Sequence, residues 1–179
     1  MESSAAPTLS VPGSVVRALL AGEQVADLRL PGTGGPPAGR RRFWLAPNGD
    51  DPDLKAAYRR ARELSLPEEP PPAGEVRIEG WAELVGTAST GLDPDRVAAL
   101  NSKTVLDLDA LTRDAAGGEV TVLALRAHRL VDPLTVPVEL SGLPPEPGGE
   151  PSEVVLSDVA FEARLKGLVD ALPKGLSPT

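Results

Sequence analysis

Residues 22–29 read Gly-Glu-Gln-Val-Ala-Asp-Leu-Arg and put four ligand-capable polar side chains into eight positions. Arg29 offers a planar fork for a phosphate or a base edge, and Asp27 can orient it. Glu23 and Gln24 add hydrogen-bonding groups. The same spacing also suits a plain solvated ion pair, because Asp27 and Arg29 share one face of a strand. A second group is cationic. Arg40, Arg41, Arg42, Lys55, Arg59, Arg60 and Arg62 hold seven of the 18 positive residues, and Phe43 and Trp44 adjoin the arginine triplet. Arginines beside aromatic rings suit single-stranded nucleic acid, where bases stack and guanidinium groups meet phosphate. A solvated surface balancing an acidic body accounts for the same residues. A third group is Arg126 and His128, two apart and so on one strand face. They fit either a ligand site shared with Arg29 or a histidine satisfied by a backbone carbonyl. Trp81 reads more readily as a sheet anchor than as a stacking platform.

Other chemistry is absent from the pattern. One histidine and no cysteine disfavour a Ser-His triad and a His- or Cys-based metal site. Gly32-Thr33-Gly34-Gly35 lacks the lysine of a phosphate-binding loop. Asp50, Asp51 and Asp53 lack the glycine spacing and distal glutamate of a calcium loop, and suit the acidic start of a helix. Glu79 and Glu83 are a minor option for holding a metal in a nuclease or amidohydrolase, and a solvated strand face explains them as well. No cofactor and no metal are expected.

The elements that must position these groups are legible in outline. Thr8–Val11 is a short strand. Ser14 is expected to cap a helix carrying Val15, Val16, Leu19 and Leu20, with Gly22 in the left-handed position past its end. A strand from Gln24 to Leu30 follows. Residues 31–39 form a loop and Arg40–Pro47 a charged entry into a strand. Asp51-Pro52 opens a helix reaching Leu64, and residues 67–74 are a stiff linker. Glu75–Thr87 alternates as a strand. Asp93-Pro94 starts a short helix, and Asp107 caps another that ends at Gly117-Gly118. Val120–Val131 is a second long strand, broken by Asp132-Pro133 before a strand at Thr135–Leu140. Residues 143–153 read as an irregular loop. Ser157 caps a last amphipathic helix through Leu172, which Pro173 stops. The fold class predicted is α+β: a small bent mixed sheet or β-barrel with peripheral helices. The expected organisation is one domain over residues 8–172, with flexible tails at 1–7 and 173–179.

Composition bounds the function. The chain has 179 residues, enough for a substantial core. Its 20 prolines and 18 glycines sit mostly in loops. Its net charge of −8 and isoelectric point near 4.7 argue against a general duplex-DNA binder. The absence of cysteine fits a reducing cytoplasm. The first residues lack the basic and apolar regions of a signal peptide, and no apolar run approaches the ~20 residues that span a membrane.

The segment from Leu9 to Arg29 resembles the opening of PUA-like folds, especially ASCH domains, whose G-x-K-x-x-E-x-R pattern lines a nucleic-acid or nucleoside pocket. Val76–Thr87, ending GWAELVGTA, and Ala124–Pro133, ALRAHRLVDP, are similar to two later strands of that family. Most of the chain also resembles an uncharacterised bacterial family of unknown function. There the match runs through Phe43, Leu45, Pro47, Trp81-Ala82-Glu83, Leu125-Arg126, His128-Arg129-Leu130, Pro133, Pro137, Leu156-Ser157-Asp158, Phe161 and Arg164. Some small ASCH proteins are amidohydrolases that use the motif lysine, with Thr87 and Glu83 standing here at positions for other polar partners. Gln24 occupies the lysine's place and cannot supply a tunable amine. The resemblance therefore implies a non-catalytic RNA- or nucleotide-binding module. It would use Gly22, Gln24, Asp27, Arg29, Arg126 and His128 for the ligand, with Arg40, Arg41, Arg42, Trp44, Arg59, Arg60 and Arg62 as a nucleic-acid surface. An acidic protein-interaction domain docking through its acidic face or last helix is the alternative.

Overall fold

The computed structural model describes residues 5–30, 35–48, 71–105, 107–108 and 118–179. The helix expected after Asp51, with Lys55, Arg59, Arg60 and Arg62, and nearly all of the one after Asp107 lie outside them. Ten elements follow in the order β1 (Thr8–Val11), α1 (Gly13–Leu20), β2 (Ala26–Arg29), β3 (Arg42–Pro47), β4 (Glu75–Gly91), α2 (Pro94–Asn101), β5 (Glu119–Pro137), β6 (Ser152–Val154), α3 (Asp158–Asp170) and β7 (Ser177–Pro178).

The spine is the antiparallel pair β4 and β5, whose pairing runs from Glu75↔Pro137 to Gly91↔Glu119 with two shifts of register. Each long strand carries two partners on its outer edge. β3 and then β7 flank β4, while β2 and then β6 flank β5. β1 adds to β3 in parallel, so the sheet is mixed. Its main path is β1-β3-β4-β5-β2 and it does not close. The α+β bent mixed sheet is thus present, and the closed barrel is not. Two irregularities bend the spine. Leu130–Pro133 bulge opposite Glu79, and Val85 is the extra residue on β4.

The first bulge corrects the expected break. Asp132-Pro133 does not end a strand, because β5 runs on to Pro137. A proline that lacks a ladder donor is accommodated where the strand bulges and leaves the ladder. The expected C-terminal tail is also corrected. Ser177 and Pro178 pair with Thr87 and Gly86, and Thr179 Oγ1 donates to Leu84 O at 3.0 Å. At the other end Pro7 is buried and its carbonyl accepts from Trp44 N at 2.9 Å. Within the expected loop at 143–153, Ser152 and Glu153 belong to β6.

Alternation along β3 separates two cores. Phe43 and Leu45 enter the main one with α1, α3, Val122 and Leu125. Trp44 and Ala46 enter a smaller one with Ile78, Trp81, Leu130 and Val136. Capping fixes the helices. Asp93 accepts from Arg96 N and Ser157 from Ala160 N, each at the N-cap. α1 departs from expectation: it begins at Gly13 with Pro12 at the N-cap, and Ser14 is buried inside its first turn. Its end matches, for Gly22 has φ +72°, and Glu23 N bonds Ala18 O while Gly22 N bonds Leu19 O. That double bond is the Schellman arrangement.

Candidate functional site: a groove between β2 and α3

The Schellman turn delivers the chain from α1 directly into the polar segment. Gln24 is 4% exposed, and both ends of its amide are committed. Nε2 donates to Ala26 O at 2.7 Å, and Oε1 accepts from Val105 N at 2.9 Å. It ties the start of β2 to the chain just beyond α2. A glutamine does this well because one group both donates and accepts. A side chain on Gly22 would come within 2.8 Å of Leu156 Cδ2, so the lead-in to α3 packs tightly on this turn.

Asp27 and Arg29 do not project into a hollow. They are 2% and 7% exposed. Arg29 Nε donates to Asp27 Oδ2 at 2.5 Å, and its Nη2 donates to Ser10 O on β1 at 2.9 Å. The expectation of a guanidinium free for phosphate is corrected, and so is the alternative of a solvated pair. β1 and β2 are the two ends of the sheet's main path, so Arg29 staples the opening of the unclosed sheet. Burial raises the Asp27 carboxyl above its usual range, and the Arg29 charge and hydrogen bond pull against that.

Arg126 and His128 share a face of β5 but serve different neighbours. Arg126 lies over the Phe161 ring at 5.2 Å and is ion-paired with Asp158 at the start of α3. With Gln24 it borders only a slot of about 10 Å³. That is room for about one water. His128 stacks on its cross-strand partner Trp81, with ring centroids 3.8 Å apart and planes 1° from parallel. Its Nε2 has no hydrogen-bond partner among the described residues. The Trp81 indole donates to Ser152 Oγ at 3.2 Å and so holds β6. Trp44 leaves the proposed nucleic-acid surface altogether: it is fully buried, and its indole donates to Pro144 O at 3.0 Å. Arg40, Arg41 and Arg42 do face solvent. Glu79 pairs with Arg77 at 3.2 Å. Among the described residues no three His, Asp or Glu side chains gather as a metal site.

Burial lowers the His128 pKa below 6.5, Arg126 and Arg42 push the same way, and Glu83 opposes them. The unfolded chain therefore binds this proton more readily than the folded one. His128 contributes stability that is complete above 6.5 and is lost as pH falls toward the folded value. Urea midpoints should drop between about pH 7.5 and about pH 5, and more steeply in the wild type than in His128→Gln. Equal slopes would contradict the assignment, and no second histidine complicates it.

The space next to this segment is a groove of about 450 Å³. That volume falls within the usual range for small-ligand sites. One wall is the chain at Glu23–Ala26, the second is Ser102 and Lys103 after α2, and the third is α3. α3 presents Ala160, Ala163 and Gly167 to it, at i, i+3 and i+7, with Arg164 between. Arg164 Nη1 donates to Glu23 O at 2.8 Å. Lys103 crosses above Gly167, where a Cβ would sit 3.2 Å from its Nζ. Lys103 has no ion-pair partner among the described residues. Lys103 was not singled out from the sequence, and Arg164 was named only in the family resemblance, although the small residues at 160, 163 and 167 mark a face left open. The motif segment thus builds the groove through its backbone, while its charged ends hold the fold.

Comparison with known proteins adds the following. No protein-family model and no curated protein matches the chain. Among solved structures it is similar to ASCH from Zymomonas mobilis, at 11% identity and TM-score 0.45, covering 96% of this chain and 99% of that one. Two mutants of the same protein give 12% and 13% identity with TM-scores 0.43 and 0.41. The first comparison covers 94% of this chain and 99% of the other, the second 90% and 96%. At this level of likeness no residue role passes from those proteins to this chain. No helix among the described residues is long and apolar enough to cross a membrane.

Proposed function

We propose that the chain is a non-catalytic RNA- or nucleotide-binding module, PUA-like in plan and cytoplasmic, that seats its ligand in the groove between β2 and α3. The observation that carries this reading is a ligand-sized groove walled by the motif backbone and rimmed by Lys103 and Arg164. Ala160, Ala163 and Gly167 leave a flat floor against which a base can lie. The two cations reach phosphate from opposite walls. Gly22, Gln24, Asp27 and Arg29 act one step back, by fixing the wall. Arg40, Arg41 and Arg42 add an exposed cationic surface at the start of β3. Gln24 has no amine to offer, and both of its ends are engaged, which favours binding over hydrolysis.

The test is fluorescence anisotropy with a short fluorescein-labelled single-stranded RNA. Binding should weaken as salt rises, with a linear fall of log affinity against log salt concentration. The double variant Lys103→Glu, Arg164→Glu should lose about tenfold or more in affinity, as expected when charge-assisted hydrogen bonds to phosphate are removed. Its thermal midpoint should stay near the wild-type value, because neither side chain is buried. RNA that fails to bind, or binds independently of salt and of both cations, would remove this reading and leave the protein-interaction domain in its place.

A further inference from the structure

A second hollow, of about 440 Å³, lies on a different part of the sheet from the groove. It is lined by Arg40, Arg41 and Arg42 at the start of β3, Glu83 on β4, and Glu146 with Pro147 from the loop after β5. β3 and β2 are separated in the sheet by β4 and β5. The two hollows share no lining residue.

Its charges are not equivalent. Register sets Glu83 opposite Arg42 on one side and Arg126 on the other. Its carboxylate is thereby flanked by two cations and serves to orient them. Arg42 lies over the Trp81 ring at 5.4 Å, which fixes its guanidinium plane. Arg41 has no ion-pair partner among the described residues. Arg40 has one, Glu146, at 3.2 Å. That pair is exposed, with side chains 42% and 76% accessible. The loop holding it is anchored beside it: Pro147 is buried, and a Cβ on Gly148 would lie 3.2 Å from Arg42 Nη1. A carboxylate is thus held out on an anchored loop against Arg40, in a hollow that Arg41 and Arg42 also line, through a contact of the kind that contributes least to stability.

We propose that this hollow is a second anion site, built for phosphoryl groups, and that Glu146 is the chain's own occupant, which the ligand displaces. A phosphate offers more charge and more acceptor oxygens than a carboxylate and matches the guanidinium forks. Displacement of an exposed pair is easy, so Glu146 weakens loose anions and yields to a phosphate that is already held elsewhere, as in a strand whose neighbouring nucleotide sits in the groove. The inference rests on the RNA- or nucleotide-binding reading for its natural ligand, but the hollow can be probed without RNA.

Titration calorimetry with sodium tripolyphosphate tests it. The wild type should bind, Arg41→Ala should bind more weakly, and Glu146→Gln should bind about two- to five-fold more tightly, the range an exposed ion pair carries. Lys103→Glu with Arg164→Glu should remove any binding at the groove and leave the gain of Glu146→Gln intact. A wild type that ignores tripolyphosphate at low salt, or a Glu146→Gln that binds no more tightly, would overturn the proposal. The same variants titrated with labelled RNA separate the two readings. RNA affinity lost with the groove cations but indifferent to Glu146 leaves the function standing and removes the second site. Tripolyphosphate binding that sharpens in Glu146→Gln without any RNA affinity does the reverse.

Discussion

Arg29→Met should unfold the protein at markedly lower urea, with a loss of about 3–5 kcal/mol, because it strands the Asp27 carboxylate in the core. The pair is nearly solvent-free, and the guanidinium also bonds Ser10 O across the sheet's opening. One substitution thus removes a counter-ion and a link between β2 and β1. Asp27→Leu should be comparably severe, leaving a buried guanidinium with only a carbonyl. The double variant Asp27→Leu, Arg29→Met should recover most of the loss and come within about 1 kcal/mol of wild type or above it, since an apolar pair of similar volume replaces two desolvated charges. The slope of the urea transition should be unchanged, which keeps the comparison in stability alone. RNA binding separates the structural role from a ligand role: the double variant should bind like the wild type. A folded double variant that no longer binds would restore Arg29 to the site, and additive losses without recovery would refute the buried-pair account.

Those residues also show what the sequence could and could not carry. Alternation put Asp27 and Arg29 on one face, and that was right. Whether the face was wet depended on β1, whose Ser10 carbonyl the fold brings to Arg29. Helix boundaries were more legible, because their signals are local. Asp93, Ser157 and Gly22 each mark an end by a bond within a few residues, and the structure has all three in place. Short strands were illegible for the opposite reason. β6 has three residues and β7 two, too few to show a period. Asp132-Pro133 reads as a stop in one dimension, and only the pairing with β4 shows a bulge there. Trp44 was misplaced by its neighbours: three arginines before it suggested surface, while the core that holds it is assembled from β4, β5 and the loop at Leu143 and Pro144. The groove was half legible. Its motif wall was recognisable, but Lys103 follows α2 and Arg164 sits on α3, both distant in sequence, and only the packing of those elements beside Glu23–Ala26 brings them to it.

Gly80→Ala should be the most damaging Gly→Ala change among the described glycines. A Cβ there would lie 2.4 Å from His128 O and 2.6 Å from Leu20 Cδ2. Leu20 can shift, because it is the last residue of α1 and its side chain has rotamers to explore. The carbonyl cannot, since it belongs to β5, one residue before Gly80's own partner Arg129. Relief requires the spine strands to part next to the Leu130–Pro133 bulge, where their pairing is already interrupted. It would also disturb the Trp81–His128 stack and the Arg129 bond to Leu20 O at 2.6 Å. The expected loss is about 3 kcal/mol, the upper end of what overpacking a core costs. Gly91→Ala is the matched control on the same strand. Nothing lies within 4 Å of its Cβ position, and it is exposed. There the methyl mainly restricts the unfolded chain and should be neutral or stabilise by about 0.4–1 kcal/mol. Opposite signs for one substitution at two glycines of β4 would place the effect in the close approach of β4, β5 and α1. Two mild and equal effects would show instead that the spine can open at Gly80 without strain.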